Sequence, residues 1–121
     1  MRLKFLAPVL LAIALVAISC APSLLIAQNE PQRIEIVAKR FSYTPAEITL
    51  KEGVPVVLAL TSQDVTHGLK FKDLGLNMKA QKGKTNEVTF TPTKAGTFIG
   101  QCSVFCGSGH GSMKLTLHVT E

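Results

Sequence analysis

A two-residue period of apolar and polar side chains recurs after residue 28 and constrains the fold more than any other feature. In the last segment, Leu115, Leu117 and Val119 alternate with polar residues, as the inward face of a half-buried strand does. Turn signals follow one another at roughly 8–12 residues, and no segment has a helical period. The sequence therefore predicts an all-β antiparallel sandwich or barrel. The candidate strands lie at 34–38, 48–50, 54–60, 69–71, 88–90, 97–101 and 115–119, with a bend at 41–45 and an irregular stretch at 74–84.

The first 27 residues differ in composition and predict export. Arg2 and Lys4 precede an apolar stretch at 5–18, which is the layout of a secretory signal. Cys20 follows Ser19, in a context similar to that of the acylated cysteine in bacterial lipoproteins. One hypothesis is therefore attachment to the membrane through lipid at Cys20.

Two other hypotheses for this leader stay open. An uncleaved membrane helix could run over 5–27, because about 20 apolar residues span a bilayer, or the chain could be secreted in soluble form. All three hypotheses divide the chain into a leader or anchor (1–27), a linker (28–33) and one domain (34–121). All three place that domain outside the cytoplasm, and the first two attach it to the membrane.

The charge of the chain argues against a nucleic-acid partner. The chain has 13 Lys and Arg against 8 Asp and Glu, and two of the cationic residues belong to the leader. The remaining excess is small and scattered, with no aromatic series beside it for base stacking.

Five side chains that bind soft or borderline metals are the main candidates for chemistry. Cys102, Cys106, His110 and Met113 fall in one predicted loop, and His67 lies upstream. Loops from different strands of a sandwich meet at one end, so we expect His67 to reach the same place. Thiolate and thioether ligands favour copper, and imidazole also suits it. A disulfide between the two cysteines remains the simplest alternative in an oxidising compartment.

The order and spacing of these residues resemble a known family. Cys-x-x-x-Cys-x-x-x-His-x-x-Met (Cys102 to Met113), preceded by Asp-Val-x-His (Asp64 to His67), is similar to the ligand pattern of CuA domains. Such domains occur in subunit II of haem-copper cytochrome oxidases and in nitrous-oxide reductase. Phe41, Pro45 and Ile48 resemble the start of these domains. The resemblance implies a cupredoxin-like Greek-key fold.

The resemblance also implies a cofactor of two copper ions with six ligands. The two thiolates would bridge both ions, each imidazole would bind one ion, and the thioether and a backbone carbonyl would be weak axial ligands. Such a centre transfers single electrons and leaves no open position for a substrate, so no catalysis by the chain alone is expected. The implied ligands are His67, Cys102, the carbonyl of Val104, Cys106, His110 and Met113.

Several residues depart from the family pattern. Val104 replaces a Glu that helps to bind magnesium at the contact with the catalytic subunit, and Ile99 replaces a frequent Tyr. The chain has no Trp, although many such subunits receive electrons from cytochrome c near an exposed Trp. These departures predict either a minimal oxidase subunit II or a free-standing carrier. The implied partners are a donor such as cytochrome c and an acceptor such as oxidase subunit I.

Two other copper functions would use the same residues. One is a copper(I) chaperone or copper-resistance protein, and the other is a single blue copper with one of the cysteines.

Of the remaining candidates, Asp64 is expected to orient the His67 loop or to serve only in a turn. Met78 is given no metal role, and His118 is expected to point outward.

Overall fold

The computed structural model describes residues 31–121, which form nine strands in two facing sheets. The predicted leader, with its proposed lipid site at Cys20, lies outside the described residues. Within residues 31–121, no helix is long and apolar enough to cross a membrane. The strands are β1 (Gln32–Lys39), β2 (Ser42–Thr44), β3 (Glu47–Lys51), β4 (Val56–Ser62), β5 (His67–Phe71), β6 (Leu76–Ala80), β7 (Thr85–Phe90), β8 (Gly96–Gln101) and β9 (Lys114–Thr120).

The two sheets confirm the all-β prediction but not its purely antiparallel form. One sheet has the order β2-β1-β4-β7 and the other β3-β9-β8-β5-β6. β1 pairs with β4 in parallel, and β3 pairs with β9 in parallel. The prediction was wrong for these two pairs because alternation fixes which face of a strand is buried, not the direction of its neighbour.

The core lies between the sheets and consists of the apolar side chains that point inward from each strand. In β9, Leu115, Leu117 and Val119 are buried while Lys114 and Thr120 are exposed. Burial of such side chains stabilises the fold by about 1.5–3 kcal/mol each. The largest fully buried apolar residues come from both sheets: Ile36, Leu58, Leu60, Leu69, Phe71, Met113, Leu115 and Leu117.

Two segments are more regular than the sequence suggested. Within 74–84, β6 buries Leu76, Met78 and Ala80 and pairs antiparallel with β5. Apolar and polar residues do alternate in this strand. The segment was predicted to be irregular because of Gly75 and Gly83, which lie outside the strand on either side. Met78 is accordingly a core residue. The segment 41–45 contains the short strand β2, which pairs with the end of β1.

Strand direction gathers several connections at one end of the sandwich. Because β1 and β4 run parallel, the β1–β2 turn and the β4–β5 connection leave the sheet at the same end. In the other sheet, Gln101 at the end of β8 lies opposite Lys70 of β5. The loop that follows β8 therefore starts beside the first residues of β5.

Candidate metal centre

The loop between β8 and β9 meets the start of β5 at that end of the sandwich. His67 is the first residue of β5. One donor atom from each of His67, Cys102 and Cys106 lies within 4.8 Å of the other two, and all three residues are buried. Two donors bound to one ion at about 2.0–2.3 Å are separated by little more than 4 Å, so these separations suit a metal.

The other three predicted ligands adjoin the two sulfurs. The Cys102 and Cys106 Sγ atoms are 3.7 Å apart. The Cys106 Sγ lies 3.8 Å from His110 Nδ1 and 3.9 Å from Met113 Sδ. The carbonyl oxygen of Val104 accepts a hydrogen bond from the Cys102 thiol at 3.0 Å. The structure thus brings together all six groups that the sequence singled out.

Both cysteines are free and buried, so the structure has no disulfide at this place in the described chain. Burial raises the pKa of the Cys106 thiol to about 11, and the neighbouring Cys102 adds to the shift. A metal that binds here must therefore displace a proton, and its affinity must rise with pH.

The two nitrogens of His67 have different environments. Nε2 lies 2.6 Å from the Asp64 Oδ1 atom, whereas Nδ1 is buried without a hydrogen-bond partner within the described residues. A carboxylate accepts only, so Nε2 carries the proton and Nδ1 presents a lone pair. An unpartnered buried polar atom is costly, and a metal ion would satisfy it.

Asp64 is held as a carboxylate by three donors. Oδ1 accepts from the Val65 N–H as well as from His67, and Oδ2 accepts from the Arg40 N–H at 2.7 Å. Burial alone would raise the pKa of Asp64, but these hydrogen bonds outweigh it and lower the pKa to about 2. Asp64 therefore binds the backbone of the His67 loop at Val65, which is the first of its two predicted roles, and it also orients the imidazole, which was not predicted.

Arg40 and Phe41 support the loop from the opposite sheet, and no sequence pattern indicated either contact. The Arg40 Nε donates to the carbonyl of Cys106 at 2.8 Å. The Phe41 ring lies against Gly107 and Gly109, where an added Cβ would overlap it, and Gly107 has a φ of +139°. Gly111 has open space, so close contact explains two of the three loop glycines.

Tyr43 and Ser103 fix the edge of the site near Gly68. The Tyr43 hydroxyl donates to the carbonyl of Gly68. Burial raises the pKa of Tyr43 above its ordinary value, and negative charge on the adjacent Cys102 and Cys106 would raise it further. Tyr43 therefore remains a neutral donor. The Ser103 hydroxyl occupies the space that a Gly68 side chain would need and donates to Asn77 Oδ1 at 3.0 Å. Neither role was predicted, because each depends on contacts between separate strands.

One aromatic ring of the loop faces solvent. Phe105 is 79% exposed, and its ring centroid lies 5.8 Å from that of His110. A candidate ligand is thus close to an exposed aromatic ring. Outside the site, the His118 side chain is half-exposed and its Nε2 lies 3.5 Å from the Glu47 Oε1, which confirms that it points outward.

The donor set fits copper better than the alternatives. Two thiols, a thioether and two imidazoles are soft or borderline ligands, whereas magnesium and calcium require oxygen. Four of these five side chains are buried, whereas His110 is half-buried, and the buried Nδ1 of His67 has no hydrogen-bond partner within residues 31–121.

Solved structures with the same architecture identify the class of fold. Auracyanin A, a "blue" copper protein from Chloroflexus aurantiacus, matches with a TM-score of 0.59 and 22% identity over 75% of this chain and 100% of its own. The fold is that of the cupredoxins.

A narrower family follows from the sequence comparison. Residues 22–120 match the model of the cytochrome c oxidase subunit II periplasmic domain, and the chain belongs to this family. The periplasmic domain of subunit II of cytochrome oxidase from Bradyrhizobium japonicum has a TM-score of 0.68 and 23% identity over 74% of this chain and 84% of its own. A chain of a heme-copper terminal oxidase dimer also has a TM-score of 0.68, with 26% identity over 77% of this chain and 67% of its own.

Proposed function

We propose that this domain is a one-electron carrier with a CuA-type centre of two copper ions. The observation that carries the proposal is that donor atoms of His67, Cys102 and Cys106 converge, while the buried Nδ1 of His67 has no hydrogen-bond partner within residues 31–121. Family membership supports the same assignment. The proposed ligands are His67, Cys102, the carbonyl of Val104, Cys106, His110 and Met113.

The residues of the chain provide a fixed set of donors. When bound, the copper pair takes up and releases a single electron. Asp64 holds the His67 imidazole in one tautomer, and Arg40 ties the carbonyl of Cys106 to the opposite sheet. Strands on both sides of the loop keep the donors in nearly one arrangement, which favours electron transfer with little reorganisation.

The proposed setting is the outer side of the cytoplasmic membrane, as part of a haem-copper oxidase. Its support is the family model, which describes a periplasmic domain, and the similarity to a chain of a terminal oxidase. In this setting the domain would take electrons from a cytochrome c or a similar donor and pass them to the catalytic subunit. The lipid anchor at Cys20 and the uncleaved helix remain the two proposed attachments.

Metal content and electron paramagnetic resonance test the proposal. The copper-loaded full chain should be purple, hold two coppers and show hyperfine splitting from both nuclei. Cys102→Ser and Cys106→Ser should each abolish that spectrum, whereas Ser108→Ala in the same loop should retain it. An unchanged two-copper spectrum in either cysteine variant would contradict the proposed ligands.

The same measurement separates the rival copper functions. One copper with a strong blue thiolate band would indicate a mononuclear site. Colourless copper(I) that passes readily to an acceptor would indicate a chaperone.

A further inference from the structure

The outer face of the five-stranded sheet is basic where it adjoins the metal loop. Lys70 lies opposite Gln101, which in turn lies opposite Lys114, so these side chains emerge on one side across β5, β8 and β9. Lys79 lies on the same face of β6, and Lys72 follows β5. All four lysines are exposed, and we call Lys70, Lys72, Lys79 and Lys114 the lysine face.

No acidic side chain of residues 31–121 neutralises the lysine face through an ion pair. The loop 102–113 contains no carboxylate, and Asp64 is directed to His67. The nearest acids along these strands are Asp73, which follows Lys72, and Glu47, which lies on β3 opposite Thr116. The face is therefore positive overall.

An exposed apolar residue lies beside lysines of the lysine face. Ile99 is 49% exposed, one of few large apolar side chains that reach solvent in the described part of the chain. It lines an open cleft of about 300 Å³ together with Lys70, Lys72, Gln101, Cys102 and Ser103. An apolar centre inside a charged rim is the usual composition of a specific, transient protein interface.

The cleft reaches a residue of the metal site itself. Cys102 is part of its lining, and neighbouring Ser103 is fixed by its hydrogen bond to Asn77. A protein that covers Ile99 would thus contact the chain beside a proposed copper ligand, without any rearrangement of the loop.

We propose that the lysine face is the docking surface for an acidic redox protein that exchanges electrons with the metal centre. The inference rests on the proposed function. It assigns the chemistry of the partner: carboxylates around an exposed apolar contact, complementary to four lysines around Ile99. A basic partner, or a second copy of this chain with the same face, would meet like charge.

Two forms of one haem protein provide a matched test. Native mitochondrial cytochrome c is rich in lysine, and succinylation converts those lysines to carboxylates while the haem remains. Stopped-flow rates of electron transfer from the reduced, copper-loaded full chain should be higher with the succinylated form. That advantage should shrink as ionic strength rises, because steering by opposite charge is screened.

Variants locate the surface. Lys70→Gln with Lys114→Gln should lower the rate with succinylated cytochrome c by about tenfold at low salt. The control Lys94→Gln with Lys51→Gln removes the same charge from exposed positions distant from the metal loop and should leave the rate nearly unchanged. All variants should keep the copper spectrum of the unmodified chain.

Different failures have different meanings. A wrong copper spectrum in the unmodified chain would overturn the proposed function. A normal spectrum with faster reaction of native cytochrome c, or with equal loss in both double variants, would overturn the docking proposal alone.

The metal-free chain gives a second readout, since succinylated cytochrome c should shift backbone amide resonances at 70–72, 99–103 and 114. Shifts at these positions with anionic phosphatidylglycerol vesicles, and not with the acidic protein, would instead assign the face to a lipid surface and contradict the proposal.

Discussion

At the scale of single residues, the pairing of His67 with Asp64 decides which imidazole nitrogen is free. Asp64 accepts from the ring, from Val65 and from Arg40, so one carboxylate fixes both a side chain and two backbone segments. The buried Nδ1 of His67 is left without a hydrogen-bond partner among the described residues. Removing the carboxylate charge should therefore disturb both the stability of the metal-free domain and the orientation of the ring.

Asp64→Asn should destabilise the metal-free full chain at neutral pH, because an amide nitrogen cannot accept from the Arg40 N–H. The pKa of Asp64 is depressed in the folded state, so its contribution is fully present above the unfolded pKa, about 3.8. That contribution is lost as pH falls toward the folded pKa of about 2. Urea unfolding should thus show a gap in unfolding free energy between the two proteins that is constant above about pH 4 and narrows toward pH 2.

The control for this prediction is Asp73→Asn, which removes an exposed carboxylate outside the network. It should have a smaller effect at neutral pH than Asp64→Asn. A gap for Asp64→Asn that does not change between about pH 4 and 2 would show that the ionised carboxylate is not what stabilises the fold.

At the scale of structural elements, the loop 102–113 is supported by two side chains from the other sheet. Phe41 fills the space beside Gly107 and Gly109, and Arg40 binds the Cys106 carbonyl. The loop is thus held by contacts from the opposite sheet in addition to the hydrogen bonds of its own short turn at His110–Ser112. This explains why glycine is required at some positions of the loop and not at others.

Gly109→Ala should destabilise the metal-free domain by about 1–3 kcal/mol, because the new methyl group overlaps the Phe41 ring. Gly111→Ala is the matched control, since its added Cβ would meet nothing within 4 Å. We expect its effect on the free energy of unfolding in urea to stay within about 0.5 kcal/mol. Equal effects of the two substitutions would mean that contact with Phe41 does not constrain the loop.

The sequence predicted some of these elements and missed others for physical reasons. β9 and the loop before it were predicted because Leu115, Leu117 and Val119 alternate regularly, and the order of the five donor side chains indicated the site. The parallel pairing of β1 with β4 was missed because direction depends on the path of the whole chain. The contacts of Arg40 and Tyr43 were missed because no local pattern encodes which distant carbonyl a side chain will reach.

At the scale of the whole molecule, the candidate ligands join segments that are far apart in the chain. His67 comes from β5 and the other groups from the loop between β8 and β9, while Arg40 and Asp64 come from connections of the opposite sheet. A metal ion bound here would link parts of the domain that separate on unfolding. Its binding energy would then add directly to the stability of the fold.

Copper should accordingly raise the unfolding temperature of the full chain. At a free concentration a hundredfold above Kd, the expected stabilisation is about 2.7 kcal/mol, which corresponds to roughly 10–20 °C for a domain of this size. Differential scanning calorimetry with and without copper measures the shift. The Cys102→Ser, Cys106→Ser double variant should show little or none, and a full shift in that variant would indicate that copper stabilises the chain elsewhere.

The distance along the chain between His67 and Cys102 also bears on when a metal ion can be captured. An unfolded polypeptide already carries the sulfurs and imidazole of 102–113 as a local group, but the imidazole of His67 joins them only when β5 and β8 are side by side. Copper supplied too early would meet an incomplete set of donors. The complete donor set is therefore available to a metal ion only in a chain whose β5 and β8 have already paired.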